Sequence, residues 1–158
     1  MKFVNVTFPD VNNGPGFRTT LWVAGCTHKC SGCHNPETWR YDIGHKFSDI
    51  KEELYSNLNN DYISGLTVSG GDPLDQSFFS LVELYFILKR IKNKFPNKTI
   101  WLYTGFIYEE AIKHPIRKKI IMLCDTIVDG PFKKHLRDTT LEFRGSSNQR
   151  IIKINKNL

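Results

Sequence analysis

Cys26, Cys30 and Cys33 stand at the spacing C-x3-C-x2-C, directly after the strand-like run Thr19-Thr20-Leu21-Trp22-Val23-Ala24. No other feature constrains the chain as much. Three thiolates this close together hold one metal centre on a single loop, and thiolate clusters select zinc or iron–sulfur. The count is informative. A structural zinc wants four protein ligands, and a four-iron cluster has four iron positions to fill. If three cysteines fill three of them, the fourth stays open to a small molecule, as it does in metals that do chemistry. On spacing alone a zinc site stays open too, with His34 or His28 as fourth ligand; His34 would make it Cys3His.

The chain has 158 residues, 40% of them hydrophobic and 24% charged, which suits one soluble globular domain spanning residues 1–158. No apolar run approaches a membrane span, and the N-terminus lacks a signal-peptide pattern. The expected compartment is therefore a reducing cytoplasm, where four cysteines point to metal or redox chemistry before disulfides. Net charge is +6. The basic clusters are Lys89-Arg90 with Lys92 and Lys94, Arg117-Lys118-Lys119, and Lys133-Lys134-His135 with Arg137. Each reads as a solvated face. They lack the interleaved aromatics that nucleic-acid binding wants, so no direct nucleic-acid contact is expected.

Residues 3–8 alternate apolar and polar side chains, the period of a half-buried strand. Residues 18–24 form the strand that delivers the cysteine loop. Ser48 is expected to cap a helix reaching Asn59, with Ile50, Leu54 and Leu58 on one stripe. A short strand at 65–69 runs into Gly70-Gly71-Asp72-Pro73. The longest helix, 76–95, carries Phe78, Leu81, Tyr85, Leu88, Ile91 and Phe95 on one face. Phe79, Val82 and Phe86 widen that face, which is expected to pack on the sheet; a second buried face against a partner is the alternative. Further strands are expected at 99–103, 126–128, 141–144 and 151–154, with helical pieces at 108–113 and 120–123 about Pro115. Cys124 reads as a buried structural thiol.

Strand, loop and helix in this order imply an α/β fold with a mainly parallel sheet. A closed eight-fold barrel takes about 200 residues or more, so the expectation is a single-domain, open, partial (β/α) barrel. Its functional loops should lie at the carboxyl ends of the strands, where Cys26 and Gly70 both fall.

The cysteine spacing resembles that of the radical S-adenosylmethionine enzymes, and Ser69-Gly70-Gly71-Asp72-Pro73 resembles their Gly-Gly-Glu-like segment. Asn13-Gly14-Pro15-Gly16-Phe17-Arg18 looks like the lead-in of the activating enzymes of glycyl-radical proteins. Trp101-Leu102-Tyr103-Thr104-Gly105-Phe106, Val128-Asp129-Gly130-Pro131-Phe132 and Phe143-Arg144-Gly145-Ser146-Ser147-Asn148-Gln149-Arg150 narrow the match. From Val4 to Ile152 the chain is similar to the activating proteins of anaerobic (class III) ribonucleoside-triphosphate reductase. That resemblance implies a [4Fe-4S] cluster on Cys26, Cys30 and Cys33, with S-adenosylmethionine on the fourth iron. Reductive cleavage then gives a 5′-deoxyadenosyl radical that takes hydrogen from a glycine of the reductase. It also implies cofactor contacts at Gly32, His34, Gly70, Gly71 and Asp72. The implied partners are the large reductase subunit and an electron donor such as a flavodoxin-type protein.

One departure matters. The position before the third cysteine is usually aromatic in the superfamily and rests against adenine; here it is Gly32. The Gly32–His34 backbone, the His34 ring or Trp39 is expected to replace that contact. The polar loop 145–149 is expected either to shape the mouth of the site or to be a plain surface turn. Three other functions compete: activation of another glycyl-radical enzyme such as pyruvate formate-lyase, a small radical enzyme such as a deazapurine synthase, and a zinc-binding interaction module.

Overall fold

Burial decides which runs of this chain become strands and how they stack. In a computed structural model that describes residues 1–155, six strands form one sheet in the order of the sequence. Residues 156–158 of the expected domain lie outside the described residues. The strands are β1 (Phe3–Asp10), β2 (Phe17–Val23), β3 (Ile63–Gly70), β4 (Thr99–Tyr103), β5 (Thr126–Asp129) and β6 (Arg150–Lys153). β2, β3, β4 and β5 are parallel to one another, while β1 and β6 pair antiparallel at the two edges. The helices are α1 (Phe47–Leu58), α2 (Phe78–Lys94), α3 (Tyr108–Ala111) and α4 (Pro115–Leu123). The α1 and α2 connections are the crossovers that parallel strands require. The result is the expected open, partial barrel. No helix among the described residues is long and apolar enough to cross a membrane.

The sheet register sorts its side chains onto two faces. Leu21, Val23, Leu66, Val68, Ile100, Leu102 and Ile127 join the helices in one apolar core. The alternate set is polar: Arg18, Thr20, Thr67, Thr99, Trp101 and Tyr103 share neighbouring register positions on the other face. Arg18 is fully buried there. Its guanidinium donates to Thr67 Oγ1 (2.7 Å), Leu66 O (2.8 Å) and Thr99 Oγ1 (3.1 Å), and lies over the Trp101 ring at 5.7 Å. Burial lowers its pKa to about 10, which still leaves it charged at neutral pH. A period-two strand with one face toward helices and the other toward a polar hollow is the ordinary requirement of a barrel wall.

Three expectations need correction. Lys46, not Ser48, is the N-cap of α1: its backbone N–H donates to the Asp49 carboxylate at 3.1 Å, and Ser48 lies inside the first turn. α2 buries Leu81, Leu84, Ile87, Leu88 and Ile91, whereas Phe78, Phe79 and Phe86 are exposed, Phe79 by 82%. Seven residues apart, Phe79 and Phe86 share the stripe that points away from the sheet, so the wide face does not all pack on it. Residues 141–144 form no strand. The chain bends there so that Phe143, at φ 56°, lays its ring against Trp101 (5.6 Å), and Tyr103 donates its hydroxyl to Phe143 O (2.7 Å). Covering the aromatic floor of the hollow outweighs extended pairing.

Candidate functional site

The end of β2 decides where the thiols go. Beyond Val23 the chain is stitched to its own return: Gly25 N–H donates to Thr38 O (2.7 Å) and Cys26 N–H to Trp39 O (3.2 Å). The loop between these stems carries all three cysteines. Its tip is a tight turn in which Cys33 N–H donates to Cys30 O at 3.1 Å. Gly32 sits there at φ 78°, a left-handed conformation that glycine takes without β-carbon strain.

The turn after β3 is fastened to the base of that loop. Gly71 N–H donates to Val23 O and Asp72 N–H to Gly25 O, both at 2.8 Å. The Gln76 side-chain amide reaches Ala24 O (3.0 Å) and Asp72 O (2.9 Å). Neither glycine has room for a side chain. A β-carbon at Gly70 would lie 2.5 Å from Val23 O; one at Gly71 would collide with Gly25 O and approach Thr38 O to 2.9 Å. The pair of glycines is therefore required by two backbones in close approach.

Asp72 is 1% exposed, and its carboxylate is surrounded by donors. It meets His28 Nε2 (2.8 Å), the Thr104 hydroxyl (3.0 Å), Gly105 N–H (2.8 Å) and Leu74 N–H (2.8 Å). One buried carboxylate thus ties the cysteine loop to the turns after β3 and β4. Its hydrogen bond raises the His28 pKa above the ordinary 6.5, against the opposing effect of burial. Burial also pushes the Cys26 thiol up to about 11 and the Cys30 thiol upward. A thiolate-bound metal has to displace those protons.

Cys26, Cys30 and Cys33 line one cavity of about 200 Å³, together with Gly70, Gly71 and Asp72. His34 and Trp39 line it as well. Gly32 lies outside it, where a β-carbon would rest 3.4 Å from Phe132 and Lys134. Cys124 belongs to the helix-side core, fully buried, its thiol directed to Ile120 O. Among the described residues no three His, Cys, Asp or Glu side chains are gathered tightly enough for a single metal ion. A larger groove, about 1080 Å³, lies between the N-terminal ends of α1 and α2 but contains no cysteine. Donor chemistry, not size, selects the smaller cavity.

Gly145 and Gln149 complete the cavity wall. Gln149 Oε1 accepts from Gly145 N–H (2.9 Å), and its amide donates to Gly130 O (3.1 Å); Asn148 donates to Pro131 O (2.8 Å). The polar loop is clamped onto the turn after β5 and faces the thiols.

Residues 12–152 match the family model described as a 4Fe-4S single cluster domain. The chain is 38% identical over 143 residues to the anaerobic ribonucleoside-triphosphate reductase-activating protein of Escherichia coli (strain K12), spanning 89% of this chain and 90% of that one. The protein of the same name from Enterobacteria phage T4 is 41% identical over 143 residues, 90% of this chain and 87% of its own. That of Pasteurella multocida (strain Pm70) is 36% identical over 154 residues, 96% of each. The chain belongs to this family of reductase-activating proteins.

For a member of the activating-protein family, the donor set fits a cluster: three thiols line one cavity and can fill three of four iron positions. Iron–sulfur, not zinc, is the metal chemistry of the family model that matches. Sequence reasoning missed Gln76 and Thr104 as structural partners of the site, and considered His28 only as a zinc ligand. The signal available was position: all three follow, or sit close behind, the carboxyl end of a parallel strand.

Proposed function

We propose that this chain, as one radical S-adenosylmethionine domain over residues 1–158, installs a glycyl radical on the large subunit of an anaerobic ribonucleoside-triphosphate reductase. The observation that carries the reading is the meeting of three thiols and the Gly70-Gly71 turn in one cavity at the carboxyl ends of β2 and β3. Ligands of α/β sheets bind at such ends. The name shared by the relatives supports the choice of partner. When bound, the cofactors supply one-electron cleavage of the S-adenosylmethionine sulfonium, giving a 5′-deoxyadenosyl radical that takes a hydrogen atom from a glycine.

The chain's own residues do the rest. Cys26, Cys30 and Cys33 hold the cluster. The Gly70-Gly71 backbone and His34 face the cavity and seat S-adenosylmethionine, with Trp39 beside them for the adenine. Asp72, already saturated by protein donors, holds the three loops in register. Gly32 acts from outside the wall, letting the chain turn sharply into Cys33. A homolytic step needs no general base. The open side of the partial barrel admits a segment of another protein, and the clamped loop 145–149 shapes that mouth. The same reading puts the protein in the cytoplasm, where free thiols persist.

The test is anaerobic mixing of iron-loaded protein, S-adenosylmethionine, reductant and the reductase. An electron-spin-resonance doublet from a glycyl radical is expected, and it should vanish when the target glycine of the reductase is alanine. Cleavage of S-adenosylmethionine without that radical would overturn the activating role and leave a different radical enzyme.

A further inference from the structure

The cysteine loop has a second side, turned away from the cavity. Phe132 is the partition. It lines the cysteine cavity on one side, its ring 5.8 Å from that of His34, and on the other a shallow hollow of about 680 Å³. Ser31, Lys133, Lys134 and His135 share that hollow, and Ser31 lies between Cys30 and Cys33. The Lys134 stem runs alongside the loop: a β-carbon at Gly32 would touch Lys134 Cδ at 3.4 Å. The hollow and the thiol site are separated by little more than one ring.

The charge on this side is one-signed. Lys133, Lys134 and His135 are exposed, as is Lys29 within the loop itself. None of them forms an ion pair among the described residues, whereas exposed Arg40, Lys113 and Arg150 each hold a carboxylate. The backbone beneath is fixed, with Lys133 N–H donating to Ser146 Oγ (3.2 Å) and Ser147 N–H to Leu136 O (2.9 Å). Like charges held together without counter-charge repel one another, and a negatively charged partner offsets that repulsion. The strip offers bases no exposed phenyl ring to stack on, since Phe132 is half-buried between the two cavities.

From this we infer that Lys133, Lys134 and His135, with Lys29, form the docking face for an acidic one-electron carrier protein. The inference rests on the function proposed above, which consumes one electron for each S-adenosylmethionine cleaved. One electron leaves the reduced carrier and enters beside Ser31 at the cysteine loop; the carrier departs oxidised by one electron, and no proton or group is transferred. Electron-transfer encounters use small interfaces steered by charge, which suits a shallow hollow rimmed by free ammonium groups.

The test uses iron-loaded protein with a flavodoxin as the acidic probe. Calorimetric titration with the oxidised probe reads affinity; stopped-flow bleaching of the iron–sulfur absorbance by the fully reduced probe reads electron arrival. Lys133→Glu/Lys134→Glu should weaken binding about tenfold or more and slow the bleaching, and the deficit should shrink near about 0.3 M salt. Lys118→Glu/Lys119→Glu on α4 makes the same charge change elsewhere and should leave both readouts unaltered. Photoreduced deazaflavin, which needs no docking, should reduce all three proteins alike. Equal flavodoxin affinity in the two double variants, or a deficit that salt does not diminish, overturns the docking face. So does tighter binding of a single-stranded oligonucleotide than of the flavodoxin at this strip. Failure of the proposed function shows elsewhere, as unaltered protein that deazaflavin reduces but that forms no glycyl radical.

Discussion

His28 Nε2 and Asp72 Oδ2 lie 2.8 Å apart, and this contact joins the cysteine loop to the turn that carries both cavity glycines. The same carboxylate holds Thr104 and Gly105. Three loops at the ends of three adjacent parallel strands are thus positioned by one buried side chain. The arrangement explains why a turn sequence as common as Gly-Gly-Asp-Pro becomes specific in this place.

Asp72→Ala should cost about 3 kcal/mol, because it strands buried donors on three loops without an acceptor. Urea unfolding of the metal-free protein reads that loss, and chelator competition reads the looser iron. An unchanged midpoint would mean that water takes the carboxylate's place.

Replacing Cys26, Cys30 or Cys33 by Ala should abolish four-iron content, since two thiolates cannot fill three corners. Cys124→Ala should keep full iron and lose about 1 kcal/mol from the small void it leaves in the core. Iron and sulfide analysis beside a thermal melt separates the two classes. Loss of iron from the Cys124 variant alone would undo the ligand assignment.

Gly71→Val tests close packing as well as ligand contact. From the sequence, only S-adenosylmethionine would be displaced by the new side chain. In the structure the β-carbon first meets Gly25 O and Thr38 O, the stems of the cysteine loop. Stability should fall by about 2 kcal/mol or more, with iron retention falling alongside S-adenosylmethionine binding. Full iron occupancy in a variant with a normal melt would show that the two stems can part freely.

Phe79→Ser and Phe86→Ser should each change stability by no more than about 0.5 kcal/mol, because both rings stand in solvent. Leu84→Ala, one turn away and fully buried, should cost about 3 kcal/mol. Similar losses at all three positions would put the exposed stripe back against the sheet.

The Arg150 hydrogen bond lowers the Glu109 pKa below its ordinary 4.5. A depressed carboxylate contributes stability above the unfolded pKa and loses it as pH falls through the folded value. Glu109→Gln should therefore be less stable than the unaltered protein at neutral pH, with the gap closing as pH drops below 4.5. Denaturant midpoints across that range read the convergence, and a gap independent of pH would show that the ion pair is not its source.

Much of this architecture was legible because local chemistry and tertiary packing agree. Val4, Val6 and Phe8 alternate; Thr99 to Tyr103 is apolar between polar flanks; Pro115 opens α4 where a missing N–H costs nothing. The cysteine spacing and Gly70-Gly71 announced a site at strand ends, since loop residue types at fixed spacing survive without knowledge of packing. What only the tertiary structure decided was direction and company. Phe79 faces solvent because α2 needs just one side to cover the sheet, a choice that spacing cannot make when both sides are apolar. Phe143 leaves the extended conformation because Trp101, 42 positions earlier in the chain, offers a surface to cover. Asp72 finds His28, Thr104 and Gly105 only once parallel strands bring their carboxyl ends together. Residue types and spacings are local quantities and can be read along a line, whereas a buried carboxylate's partners are set by which strands lie side by side.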